Sequence, residues 1–412
     1  MPRIRRPRRP RRPSATRRLA PFALFALPLL VVLAIAPGAP TPTPSERPNG
    51  AAATAPFALT ATLPTDCAAD DAACLETAVG NLAYLEGPAA GMAAIRAGVE
   101  AHPPFGGVCH IAAHRVGAGT VARHDGDFGA AASELRAAVD AAFCGSGAVH
   151  GLLIELTARA DGADLVDLLR VACATTIVDS GAPVGDCAHG AGHAIVQARA
   201  WEIDEALADC NRLGTIAGET VDSVRECAIG AYMEVMQNGR EVATADWVRA
   251  EDPTWPCPVA PNATADLCWG LVDVAAGIEG VPLEEVVALC ATAPRATDRA
   301  SCRISIAEGA TQRLPDLGAV EAFCLAYDDD DLSRDDCRLW AAAQIGGDRQ
   351  HPEPAAELCR AIGDPTLRDD CFAAIGGKLS GQVGLAPCAE LVDTRERRNC
   401  QRSALPDRPG LP

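Results

Sequence analysis

The sequence predicts an all-α protein: antiparallel helical hairpins stacked in an irregular, solenoid-like repeat array and stapled by disulfides. Three observations lead there. The 18 cysteines fall into pairs of similar spacing, most clearly Cys290 with Cys302, Cys324 with Cys337, Cys359 with Cys371 and Cys388 with Cys400. The first member of a pair ends an apolar helical phrase, as in LEEVVALC, VEAFC and PAAELC, and the second opens another, as in CRISIAEGA, CRLWAAAQIGG and CFAAIGG. First members recur at 290, 324 and 359, a period close to that of two-helix repeats.

Taken from its start, the chain opens with nine Arg and no acid in residues 1–18. The apolar run LAPFALFALPLLVVLAIA follows at 19–36, then small residues. A basic start, an apolar core and a small-residue exit are the layout of an export signal. Pro21 and Pro28 weaken the run as a spanning helix. Residues 1–39 therefore read as an export signal or, if uncut, an N-terminal membrane anchor. Residues 40–62, rich in Pro, Thr and Ala, read as an extended linker. Losing nine positive charges takes the formal charge from −18 to −27. So acidic a body speaks against nucleic acid or an anionic membrane as partner, and leaves membrane contact to the N-terminal segment alone. Eighteen cysteines in an exported chain imply disulfides and an extracytoplasmic place, secreted or anchored.

The remainder divides into a Cys/His-rich helical part at 63–200, hairpin repeats at 201–404 and a tail at 405–412. The pairing extends upstream, more loosely, to Cys257 with Cys268, Cys210 with Cys227 and Cys173 with Cys187, while Cys67 and Cys74 suit each other. Each bond closes a short loop and contributes roughly 2–4 kcal/mol by the chain-entropy model. That offsets a core with 4% aromatic residues, which must be built from Ala, Leu and Val. An Asp, Ser or Asn just before the second cysteine is expected to cap the new helix, and Gly to end it. Met233 and Met236 in AYMEVM read as core residues. The run Asp328 to Asp331 lacks the spaced ligands and the Gly of a calcium loop and reads as a solvated connection.

The reactive side chains gather between Cys109 and His193. Three phrases, CHIAAH, CGSGAVH and CAHGAGH, hold five of the 8 His: His110, His114, His150, His189 and His193. His110 and His114 are four apart, as are His189 and His193, the spacing by which one helix offers two imidazoles to one metal. His150 lies six residues after Cys144, as His193 does after Cys187, so the phrases align as equivalent turns of neighbouring repeats. Stacking would then bring the five rings to one surface. Glycines crowd the phrases and imply close backbone approach, to a ligand or to another helix. Glu155 is the preferred additional ligand, ahead of Glu202, Asp204, Asp125 and Asp127. Cys109 and Cys144 lack partners of their own. We favour a disulfide between them; two free thiolates in a mixed Cys/His site is the other reading.

The phrases CH-x3-H, C-x5-HG and CxHGxGH resemble those of uncharacterised exported bacterial Cys/His-rich helical proteins, a resemblance that covers about a quarter of the chain, Cys109 to Met236, and implies no known activity. HExxH, CxxCH, GxSxG, a Walker loop and a dinucleotide fingerprint are all missing from the sequence. The leading expectation is extracytoplasmic binding of a transition metal, Cu or Zn, through the histidine cluster, since imidazole suits both ions. A metal-dependent enzyme, hydrolytic or oxidative, using the same cluster is the alternative. A helical-repeat scaffold for protein partners is the third reading. A closed four-ligand site favours binding, an open position favours the enzyme, and an apolar groove without convergent His favours the scaffold.

Overall fold

The computed structural model describes Cys67 and residues 72–402, apart from connections at 102–108, 139–143, 145, 160–163, 177–183, 217–221, 238–248, 250–251, 279, 315, 327–332, 350–351 and 383–384. The export segment, the linker, the tail, the Asp328–Asp331 run, His102 and His351 lie outside the described residues. The described residues belong to one unit.

Among the described residues the structure is helical throughout, with no strand. In order come α1 (Ala72–Glu86), α2 (Pro88–Ala101), α3 (Cys109–Arg123), α4 (Phe128–Ala138), α5 (Gly147–Ala158), α6 (Leu165–Thr176), α7 (Val184–Ala198), α8 (Ile203–Leu213) and α9 (Ser223–Gln237). Then follow α10 (Ala265–Trp269), α11 (Val272–Ile278), α12 (Leu283–Cys290), α13 (Ala296–Arg313), α14 (Leu317–Ala326), α15 (Arg334–Arg349), α16 (Glu353–Ala361), α17 (Pro365–Gln382) and α18 (Thr394–Arg402). The helices make two rows. In one, α1, α3, α5, α7 and α9 each pack on the next, α10 carries the row to α13, and α15, α17 and α18 complete it. In the other, α2 packs on α4, α4 on α6 and α6 on α8. The packing runs unbroken past residue 200, because α7 packs against α9 as extensively as any pair in the molecule.

All eighteen cysteines are in disulfides, and every expected pair forms, with Cα separations from 5.3 to 5.8 Å. Cys290, Cys324 and Cys359 sit in the last turns of α12, α14 and α16, as their phrases imply. Cys257 and Cys388 instead lie in short 3-10 turns at Cys257–Val259 and Ala386–Glu390.

Two local expectations need correction. The residue before the second cysteine is not a cap, because the helix begins up to two turns earlier. The caps are Asp364, whose Oδ1 accepts from the backbone N–H of Thr366 at 2.7 Å and Leu367 at 2.9 Å, and Asp393, which does the same for Arg395 and Glu396. Ser333 and Asp336 exchange backbone-to-side-chain bonds at 3.2 and 3.3 Å, a capping box at the start of α15. Nor does Gly end these helices: α13 runs past Gly309, α15 past Gly346 and α17 past Gly376. Gly376 is there because the carbonyl of Cys400 packs where a Cβ would stand.

A second kind of staple joins the same hairpins. Arg299, Arg368 and Arg397 each lie three residues before a second cysteine. Their guanidinium groups donate to the carbonyls of Ala293, Ile362 and Leu391, each three residues after the first cysteine, at 3.3, 2.9 and 3.0 Å. These carbonyls follow a helix end and have no partner within the helix, so one Arg closes the hairpin that the disulfide spans.

Candidate metal centre

The histidines stand on three consecutive helices of the first row: His110 and His114 on α3, His150 on α5, His189 and His193 on α7. What brings them together is the glycine in their own phrases. A Cβ on Gly151 of α5 would collide with the carbonyl of His114 on α3, and one on Gly147 with the carbonyl of His110. Gly190 of α7 leaves room for the His150 ring, whose Cδ2 would lie 2.6 Å from a Cβ there. On the other side of α7, Gly230 of α9 accepts the His189 carbonyl in the same way. Packed helix axes ordinarily lie about 8–10 Å apart; glycine at each contact lets the backbones touch, so short imidazoles from neighbouring helices can reach one point. The glycines therefore serve helix–helix packing, and the packing builds the site.

Four rings form the closest group. One nitrogen each from His110, His150, His189 and His193 lies within 4.8 Å of all the others. Their six centroid separations run from 5.0 to 6.3 Å. Imidazoles bound tetrahedrally to one ion at about 2.0 Å have centroids about 5 Å apart. The Nδ1 of His150 lies 3.4 Å from Nε2 of His110, close to the spacing of about 3.3 Å that two tetrahedral ligands require. His114 joins from one side, its Nε2 3.2 Å from the same His110 nitrogen. A second group consists of His114, His193 and Glu234.

The surroundings fix which nitrogens face the group. His110 donates its Nδ1–H to the carbonyl of Cys144 at 2.9 Å, which leaves the lone pair of the neutral ring on Nε2. His193 donates Nδ1–H to Oε2 of Glu234 at 2.6 Å, and Gln197, one turn on, donates to Oε1 at 2.8 Å. Nε2 of His193, fully buried, meets no hydrogen-bond partner. Metal-binding histidines ordinarily carry such partners on the nitrogen that does not bind. Burial, and then the neighbouring histidines, hold His114, His150 and His189 well below the usual imidazole pKa. They are neutral at pH 7, the form that binds metal. His110 and His189 are partly exposed and give the group its solvent side; Oε2 of Glu226 lies 4.0 Å from Nδ1 of His189.

The Cys109–Cys144 disulfide, with Cα atoms 5.4 Å apart, is part of the construction. Cys144 precedes its helix by three residues, whereas Cys187 lies inside α7, so the two phrases are not equivalent turns throughout. Cys144 and Ser146 have φ of 58° and 60°, left-handed for non-glycine residues. The turn folds Cys144 back over the start of α3, where it bonds Cys109 through sulfur and His110 through its carbonyl. No thiol remains for a mixed Cys/His site.

Glu155 is not where it was expected. It stands outside both groups, buried, with Arg159 3.3 Å away. Its five-residue offset turns it about 140° around α5 from His150. Glu202, Asp204, Asp125 and Asp127 are likewise in neither group, and His124 pairs with Glu134 at 2.7 Å. The carboxylate that hydrogen-bonds a histidine of the cluster is Glu234, on α9. Its only mark in the sequence is an acid between the two Met of the apolar phrase AYMEVM, and Met236 beside it is core as expected. No helix among the described residues is long and apolar enough to cross a membrane. Comparison with known proteins gives no match to a family model, a characterised protein or a solved structure.

Proposed function

We propose that this protein binds Zn²⁺ or Cu²⁺ outside the cytoplasm through His110, His150, His189 and His193. One observation carries the reading: the buried, unpartnered Nε2 of His193, set among three other imidazoles. A buried acceptor without a partner is costly, and an ion satisfies it together with its neighbours. The all-imidazole donor set suits Zn²⁺ and Cu²⁺ and disfavours Mg²⁺ or Ca²⁺, which take oxygen. Four protein ligands match a closed site that retains its ion, whereas catalytic zinc sites have three and an open position. Nine disulfides suit an oxidising compartment, which with the basic and apolar start of the chain supports export. The second half, α10 to α18, is on this reading the scaffold that holds the centre in place.

The test is metal analysis and calorimetric titration of full-length protein purified from an oxidising compartment. The wild type is expected to hold Zn²⁺ or Cu²⁺ through dialysis, and a His150→Ala, His193→Ala variant to lose it. Equal binding by both proteins would remove the site.

A further inference from the structure

We infer that the centre is built for two metal ions, with His193 shared between them. The inference rests on the four-histidine reading above and extends it. A buried imidazole has two nitrogens facing different directions. Those of His193 face different sets of ligands. Nε2 is unpartnered, and His193 stands in the group with His110, His150 and His189. Nδ1 faces Glu234 at 2.6 Å, within the second group that His114 completes. The three residues of that group come from three helices, α3, α7 and α9, and all three are buried.

Three features favour the second ion. His114 is a buried imidazole that the first group does not use. Its Nε2 lies 3.2 Å from the His110 nitrogen that faces the first group, so it stands at the edge of that group and within the second. Glu234 supplies the anionic oxygen, and its other oxygen is held by Gln197 at 2.8 Å, which sets the carboxylate plane. Two imidazole nitrogens and one carboxylate oxygen form a donor set that Zn²⁺ and Cu²⁺ both accept. Glycine contacts rigidify both sides: Gly151 locks α5 on α3, and Gly230 locks α9 on α7. The second ion takes the place of the proton on Nδ1 of His193, and that proton leaves to solvent. His193 becomes a bridging imidazolate, with no change of oxidation state at any atom.

The ion count discriminates. Full-length protein with all thiols oxidised is saturated with Zn²⁺ or Cu²⁺, dialysed and analysed for metal per chain. Two ions per wild-type chain are expected. His114→Ala is expected to hold one, since His114 is not in the four-histidine group; Glu234→Gln, which also alters the carboxylate that holds Nδ1 of His193, is expected to hold no more than one. Copper-loaded wild type should show an electron spin signal well below its copper content, because a bridging imidazolate couples the two spins; Glu234→Gln should show a signal equal to its copper. One ion per wild-type chain overturns the inference and leaves the four-histidine site standing. No ion at all overturns both. Two ions in both variants, or two uncoupled copper signals in the wild type, also refute the shared histidine. Should one variant fail to oxidise and fold, the wild-type count and the other variant still decide.

Discussion

Acid should loosen the metal-free centre selectively, by an amount that follows from its burial. His114, His150 and His189 are held neutral, with pKa values well below 6.5, by burial and then by one another. In the unfolded chain the same rings titrate near 6.5. The folded pKa is depressed, so the unfolded state binds more protons between the two values. Stability is therefore complete above about pH 6.5 and lost as pH falls toward the folded values. Each group sets a limiting slope of about 1.4 kcal/mol per pH unit. Between pH 7.5 and 5.5 three groups together lose at most about 4 kcal/mol. The depressed carboxylates Asp164, Asp369 and Asp393 act only below pH 3.8 and do not contribute. Asp273 on α11, raised to about 6 by burial despite its Arg313 partner, has the opposite sign. Its contribution is present at low pH and lost as pH rises through 6, so it returns less than about 1 kcal/mol on acidification. Repeat arrays need not unfold as one unit, so the assay is hydrogen exchange of chelator-treated, disulfide-intact protein, read as protection factors helix by helix. Protection of α5 and α7 should fall by between about 1.4 and about 4 kcal/mol between pH 7.5 and 5.5, while α15 and α17 keep theirs. A fall at α5 and α7 below about 1.4 kcal/mol, one group's worth, refutes the burial argument. So does an equal fall at α15 and α17.

Two further outcomes follow from the packing. Gly230→Ala places a methyl against the His189 carbonyl and should cost about 1–3 kcal/mol in thermal unfolding, with weaker zinc binding by calorimetry; unchanged binding would separate the glycine contact from the site. Removing the Cys109–Cys144 bond as a Cys-to-Ala pair opens a separation of 35 residues, against 12 for Cys290–Cys302. Chain entropy makes the first removal about 1 kcal/mol more costly, and only the first should weaken metal binding, because it releases the carbonyl that orients His110; equal losses of affinity would show that Cys144 has no such role.

The sequence by itself determined whatever depends on short stretches of chain. Eight of the nine disulfides join residues no more than 17 apart, so spacing along the chain was enough to pair them. The i, i+4 histidines share a helix face for the same reason. The ninth bond came by elimination, and the structure supplied its means, the left-handed turn at Cys144 and Ser146. Caps were misplaced because a helix start depends on where the connection ends, and Asp364 and Asp393 lie seven residues before their cysteines. Only the tertiary structure decided which carboxylate meets the histidines. Glu155 lay close in the chain but turned away around its own helix; Glu234, 41 residues from His193, faces it across a contact of glycine on backbone. The neighbour across an interface depends on the rotation and offset of whole helices, which close contacts such as Gly230 against His189 fix. No local period records them.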